Sequence, residues 1–230
     1  MARGLVASPA KLRCQGALER ELRARGFLAV AGVDEVGRGS LFGAVFAGAV
    51  ILSTERLIRG LNDSKQLEPE RREVLAGRIR ERAVAWAVAA VDAAMIDRIN
   101  IYEASRLAMK MAVERLKPAA DFLIIDAVPL ALNVPQQPII HGDALCHAIA
   151  AASILAKVER DACMRVWDTV YPQYGLAHHK GYNTPEHLRA LKEHGITPLH
   201  RLSFEPVRSR SLFPVDYDAQ LDLFAMEAGA

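Results

Sequence analysis

The chain has 230 residues, 51% of them hydrophobic, and a formal net charge of +2, enough for one domain whose core needs no staples. No apolar run approaches the roughly 20 residues of a membrane helix, and Met1-Ala2-Arg3-Gly4-Leu5 lacks the apolar stretch of a signal peptide. The three cysteines (Cys14, Cys146, Cys163) lack zinc-type spacing and read as reduced thiols of a cytoplasmic protein, while the slight basicity is weak support for a nucleic-acid partner.

Residues 11–26 carry Leu12, Leu18 and Leu22 at helical spacing, and Gly26 ends the segment. Phe27 to Val33 is short and apolar, so it reads as a buried strand ending at Asp34. Ala44 to Leu52 and Ala83 to Val91 are two further strands. Between them lie the loop Asn62-Asp63-Ser64-Lys65 and a charged helix from Glu68 to Arg82, with Pro69 in its first turn. The dense basic residues at 20–25 and 71–82 read as solvated helix faces.

Ile101 to Leu116 is an amphipathic helix stopped by Pro118. Asp121 to Asp126 is a strand, and Pro138 to Ile140 a shorter one. Asp143 then opens an alanine-rich helix to about Val170, as its N-cap. Beyond residue 170 the texture is irregular, with one short helix over Thr184 to His194.

Three strands in succession suit an antiparallel meander. The later strands alternate with helices and would add in parallel. The expected fold class is α/β: a mixed sheet flanked by helices, with a small C-terminal helical extension. Residues 1–170 would form the main body, 171–208 an extension of the same domain and 209–230 a flexible tail.

The densest chemistry is Gly32-Val33-Asp34-Glu35-Val36-Gly37-Arg38-Gly39. Asp34 and Asp126 each end an apolar strand, where ligands gather in open α/β sheets. Asp143 follows on a helix start. Four clustered carboxylates repel unless cations sit among them. Their all-oxygen donor set suits Mg²⁺ or Mn²⁺. Two such ions form the usual clamp for phosphodiester displacement. An arginine between glycines suits close approach to a phosphate or sugar. Asp161, five turns further along the helix, reads as a structural salt-bridge partner. Lys65, Lys180 and Arg201 read as phosphate contacts, and His179 and His200 as hydrogen-bonded structural residues.

These segments, in this order, resemble the ribonuclease HII family over roughly residues 27–207. The resemblance rests on AGVDEVGRG at Ala31–Gly39, on Asn62 to Lys65 and on Leu123 to Asp126. It continues through Gly142-Asp143-Ala144, Ala150 to Val158, Arg160-Asp161, Tyr171 to Gly175, His179 to Tyr182, and His200-Arg201 with Ser203-Phe204. It implies a ribonuclease H-like fold and a two-metal endonuclease that cuts RNA in RNA–DNA hybrids. Single ribonucleotides embedded in duplex DNA would also be incised, leaving 5′-phosphate and 3′-hydroxyl ends.

By the same resemblance, Asp34, Glu35, Asp126 and Asp143 are the metal ligands. Gly37, Arg38 and Gly39 would read the 2′-hydroxyl at the RNA–DNA junction, and Tyr182 would stack on the next sugar. The chain departs from the family's usual pattern in several places. Ser40 and Ala44 stand where proline is usual, and Ala127 where glycine is common. Leu145 and Cys146 stand where a lysine and a serine are usual, a departure that bears on one phosphate contact and on no metal ligand.

Near the end, Gln220-Leu221-Asp222-Leu223-Phe224 resembles the short peptide by which bacterial replication and repair proteins dock on the β sliding clamp. Gln220, Leu221, Leu223 and Phe224 would make that contact. Nothing in the sequence demands a dimer, so a monomer is expected. A DNA nuclease on the same fold would have no need of a 2′-hydroxyl sensor. A pure binding module would gain nothing from clustered negative charge against phosphate.

Overall fold

The computed structural model describes Cys14 and residues 16–211. A short helix, α1 (Ala17–Ala24), leads into strands β1 (Val30–Val36) and β2 (Val45–Ile51). Helix α2 (Pro69–Arg82), strand β3 (Ala85–Val91) and helix α3 (Ala93–Glu114) follow. Strands β4 (Phe122–Asp126) and β5 (Gln136–Ile139) precede helices α4 (Gly142–Leu145) and α5 (His147–Val170). Two more helices, α6 (Leu176–His179) and α7 (Pro185–His194), complete the order.

The five strands form one mixed sheet in the order β3-β2-β1-β4-β5. The first three are antiparallel, while β1–β4 and β4–β5 are parallel. The meander and the parallel additions expected from the strand order are both present.

Alternation along β1 divides the core. Ala31 and Val33 pack with Ile96, Ala108 and Met109 of α3 on one face. On the other face α5 lies almost directly on the sheet. A Cβ on Gly32 would stand 2.0 Å from the Ala148 carbonyl carbon, and one on Gly48 would stand 2.4 Å from the Ala152 oxygen. Only glycine admits that approach, and the approach seats the first two turns of α5 over Asp34. Leu75, Ala76 and Ile79 of α2 close this side against Ile154 and Leu155.

The C-terminal segment has its own cluster. Tyr174, Leu176, Leu191 and Val207 pack around Leu41, Phe42 and Met164. Two isolated bridges, Ser40 with Tyr182 and Phe42 with His200, fix it to the turn after β1. Asp97 of α3 holds it from another side, accepting from the Leu202 and Ser203 N–H groups at 2.8 Å each.

Several boundaries differ from expectation for visible reasons. β1 continues to Val36 because its pairing with β2 runs on through Glu35↔Ala47 and Val36↔Phe46. α3 starts at Ala93, capped by Asp92, and is kinked at Asn100, where φ is 63°. β5 begins at Gln136.

Asp143 is not the N-cap of the long helix. It lies inside α4, and Cys146 breaks the path in an extended conformation (φ −114°, ψ 128°) before α5 begins. The break has two anchors. The Gly142 N–H donates to Asp126 Oδ1 at 2.8 Å, tying α4 to the end of β4. Glu19 of α1 accepts from the Ala148 N–H at 2.9 Å, taking the capping role at α5.

Candidate active site

The last parallel pair of β1 and β4 is Val33 with Ile125. Asp34 and Asp126 therefore leave neighbouring strands side by side at the carboxyl end of the sheet. Asp34 is buried and hydrogen-bonded to Ser153 of α5. Ser153 in turn meets Ser64 at 2.9 Å, which seats the Asn62–Lys65 loop over the site. Asp63 caps the turn in that loop, and Lys65 Nζ stands 3.8 Å from Asp143.

Electrostatics ties the acidic groups together. Burial, then the neighbouring Glu35, Asp126 and Asp143, push the Asp34 carboxyl well above the usual carboxylate range. Burial also raises Glu35, opposed by Arg38, whose Nη1 lies 3.3 Å from Glu35 Oε1. Asp143 is raised by burial, then by Asp63 and Asp126, and Lys65 opposes the rise. Burial alone would lower the Lys65 ammonium, yet the surrounding carboxylates, Asp143 foremost, hold it above its ordinary value.

Glu35 Oε2 is buried without a hydrogen-bond partner among the described residues. Among those residues no three acidic, histidine or cysteine side chains stand close enough to share one ion as they lie. The partners of the carboxylates include Arg38, Lys65, Ser153, the Gly142 N–H and the Glu35 N–H, which donates to Asp34 Oδ1 at 2.7 Å. The donor set is nevertheless oxygen-only, crowded and short of positive charge, which fits hard divalent cations.

The turn after β1 stands beside this cluster. Gly37 has φ 91°, and a Cβ there would lie 2.2 Å from Arg160 Nε. Gly39 is exposed, and a Cβ there would meet nothing within 4 Å. The backbone at Gly39 is thus open to an incoming ligand, while Gly37 is closed in by the protein.

Residues 31–207 match the family model for ribonuclease HII. The chain belongs to the ribonuclease HII family. Ribonuclease HII of Solibacter usitatus (strain Ellin6076) is 76% identical over 214 residues, which cover 93% of this chain and 94% of that protein. The ribonuclease H2 structure from Pyrococcus horikoshii OT3 superposes with a TM-score of 0.68 at 26% identity, covering 79% of this chain and 96% of that one. The RNase HII in the PCNA complex from Archaeoglobus fulgidus gives a TM-score of 0.64 at 27% identity, covering 77% and 96%. The fold is therefore ribonuclease H-like, and membership makes the chain an endoribonuclease that cleaves RNA in RNA–DNA hybrids.

Asp34, Glu35, Asp126 and Asp143 gather at one end of the sheet, with Gly37, Arg38, Gly39 and Lys65 around them. Tyr182 is half-buried, bridged to Ser40. Lys180 lies next to it in the left-handed conformation, its ammonium bonded to the Ala177 carbonyl.

Arg201 is a correction. It is fully buried, so it offers no surface to a phosphate. Its Nε donates to the Gly43 carbonyl at 2.9 Å and its Nη1 to the Arg38 carbonyl at 2.7 Å. It supports the turn from behind. Asp161 is the salt-bridge partner expected, 2.7 Å from Lys157 Nζ and 3.8 Å from Arg72 Nη2. The Gln220–Phe224 motif lies outside the described residues.

Sequence reasoning missed Ser153, Ser64 and Arg160. A signal for Arg160 existed, because its i, i+7 spacing from Ser153 puts both on one face of α5.

Proposed function

We propose that this chain cuts the RNA strand of hybrids by two-metal-ion catalysis and also incises 5′ to single ribonucleotides in duplex DNA. The products carry 5′-phosphate and 3′-hydroxyl ends. The observation that carries this reading is the pairing of a four-carboxylate cluster with a turn bridged directly to Tyr182.

Asp34, Glu35, Asp126 and Asp143 would hold the ions, Mn²⁺ or Mg²⁺. The unpartnered Glu35 Oε2 and the mutual repulsion of the cluster support that assignment. Such ions, when bound, supply an activated water and charge neutralisation at the leaving oxygen.

The chain's own residues do the rest. Ser153 and the Gly142 N–H orient Asp34 and Asp126. Lys65 adds positive charge at Asp143, where a phosphate would also sit. The open backbone at Gly39 can meet a 2′-hydroxyl, which is both donor and acceptor and is what separates RNA from DNA. Arg38 is exposed enough to reach a backbone phosphate or sugar. Tyr182 would stack on the following deoxyribose. Lys180 would contact phosphate, and residues 171–208 would act as a substrate-binding extension of the catalytic domain.

The A. fulgidus relative was solved with PCNA, a clamp. That supports docking of this chain on the bacterial β clamp through Gln220, Leu221, Leu223 and Phe224. Deleting residues 218–230 should abolish clamp binding in a titration, and unchanged affinity would refute the contact. Among the described residues no helix is long and apolar enough to cross a membrane. We place the protein in the cytoplasm, acting as a monomer.

The test of the reaction is direct. With Mg²⁺ or Mn²⁺, a long RNA–DNA hybrid should be cleaved in the RNA strand, and an all-DNA duplex left intact. Cleavage of the all-DNA duplex would overturn the reading.

A further inference from the structure

We propose that Arg160, acting through Ser40, is a positioning residue for the RNA-versus-DNA decision. Its guanidinium sets the spacing between the Gly37–Gly39 turn and Tyr182. This rests on the function proposed above.

Arg160 is fully buried on α5, yet its closest partners are a hydroxyl and carbonyls. Nη2 donates to Ser40 Oγ at 2.8 Å, to the Lys180 carbonyl at 3.1 Å and to the Phe42 carbonyl at 3.4 Å. Nε donates to the Ala44 carbonyl at 3.3 Å. The same group lies against Gly37, where a Cβ would stand 2.2 Å from Nε. Its central carbon is 5.3 Å from the centroid of the Tyr182 ring. One planar fork therefore touches the turn, the segment leading to Tyr182 and the Tyr182 ring itself.

Burying a cation for stability alone is a poor exchange, because desolvation offsets much of the attraction. A rigid fork is suited to fixing several acceptors at once, and lysine cannot copy it. Ser40 is the joint. It accepts from Arg160, donates to the Phe42 carbonyl at 2.9 Å and pairs with Tyr182 through the backbone. The Arg160–Ser40 bond thus ties α5 to the turn and to the segment bearing Tyr182.

If the spacing is set this way, disturbing it should harm the substrate that must be read at a single nucleotide. A continuous RNA strand offers many alternative registers and should suffer less. The test compares kcat and KM on a duplex with one embedded ribonucleotide and on a long hybrid, for Ser40→Ala and Arg160→Lys. On the single-ribonucleotide duplex kcat should fall about threefold for Ser40→Ala and about tenfold or more for Arg160→Lys, with KM within about twofold. On the long hybrid Ser40→Ala should stay within about 1.5-fold of the parent and Arg160→Lys within about threefold, so that both variants shift the ratio between the substrates. In a Tyr182→Ala background, Arg160→Lys should no longer change the ratio between the substrates.

Equal losses on both substrates would overturn the proposal, as would an unchanged ratio in both variants. Should Arg160→Lys not fold, the Ser40→Ala ratio decides alone. A parent protein that cuts hybrids but leaves the single-ribonucleotide duplex whole would overturn this inference together with that part of the proposed function. A parent that cuts both, with an unchanged ratio in the variants, overturns this inference alone.

Discussion

Ser40 and Tyr182 face each other in an isolated antiparallel bridge, and the adjoining Leu41 N–H donates to the Gly181 carbonyl at 2.9 Å. The turn after β1 and the segment bearing Tyr182 are therefore one unit, although they lie far apart in the chain. β1 ends in the same unit, so Asp34 and Glu35 stand in a fixed relation to the aromatic ring.

The two glycines of the turn should respond differently to alanine. Gly37→Ala places a Cβ into Arg160 at a φ of 91°, and should destabilise the fold by about 1–3 kcal/mol. Gly39→Ala meets no protein atom within 4 Å and should leave the thermal midpoint unchanged. It should still weaken cleavage, because the added methyl stands where substrate would approach. Thermal melts and steady-state rates on both variants check the contrast.

Ala127, directly after Asp126, has φ 62°. That region favours glycine, so Ala127→Gly should stabilise the protein by about 1 kcal/mol. Chemical denaturation measures this, and a lower midpoint would contradict the strain.

The carboxylate cluster makes a paired prediction. Asp126→Asn should lower activity by about a hundredfold or more while sparing hybrid binding. In the presence of a chelator, the same change should leave the midpoint equal or higher, since it removes one of the repelling charges around Asp34 and Asp143. Adding Mg²⁺ or Mn²⁺ should raise the parent's midpoint, by about 2.7 kcal/mol of stability at a hundred times the dissociation constant. The variant should gain less.

His187 and His200 set an acid limit. Their Nε2 atoms are 3.1 Å apart, and burial chiefly holds His187 down to about 4 and His200 to about 3. Both folded values lie below the unfolded value of about 6.5. Above that value both states are neutral and stability is full. As pH falls below it, the unfolded chain takes up protons first, so stability should decline toward pH 4. Melts from pH 7 to 4 should show that slope, and His200→Gln should flatten it.

The central strands were legible because β1, β2 and β3 are short runs dominated by apolar residues. Asp34 and Asp126 were legible because they close such runs. Asp143 was misplaced as a cap because the break at Cys146 depends on tertiary bonds, from Gly142 to Asp126 and from Ala148 to Glu19. The support role of Arg201 is not legible in the sequence. Its burial follows from distant carbonyls at Gly43 and Arg38. The role of Arg160 depends on the same kind of long-range contact.

Tyr182→Ala should reduce cleavage of a single-ribonucleotide duplex more than cleavage of a long hybrid. Equal losses would remove the ring from junction sensing.

The most direct measurement is end mapping. The protein is incubated with Mg²⁺ or Mn²⁺ and a DNA duplex carrying one ribonucleotide, and both new termini are identified. A nick on the 5′ side of the ribonucleotide, with a 3′-hydroxyl and a 5′-phosphate, is the expected result. An intact duplex, or a cut on the 3′ side, would contradict the account.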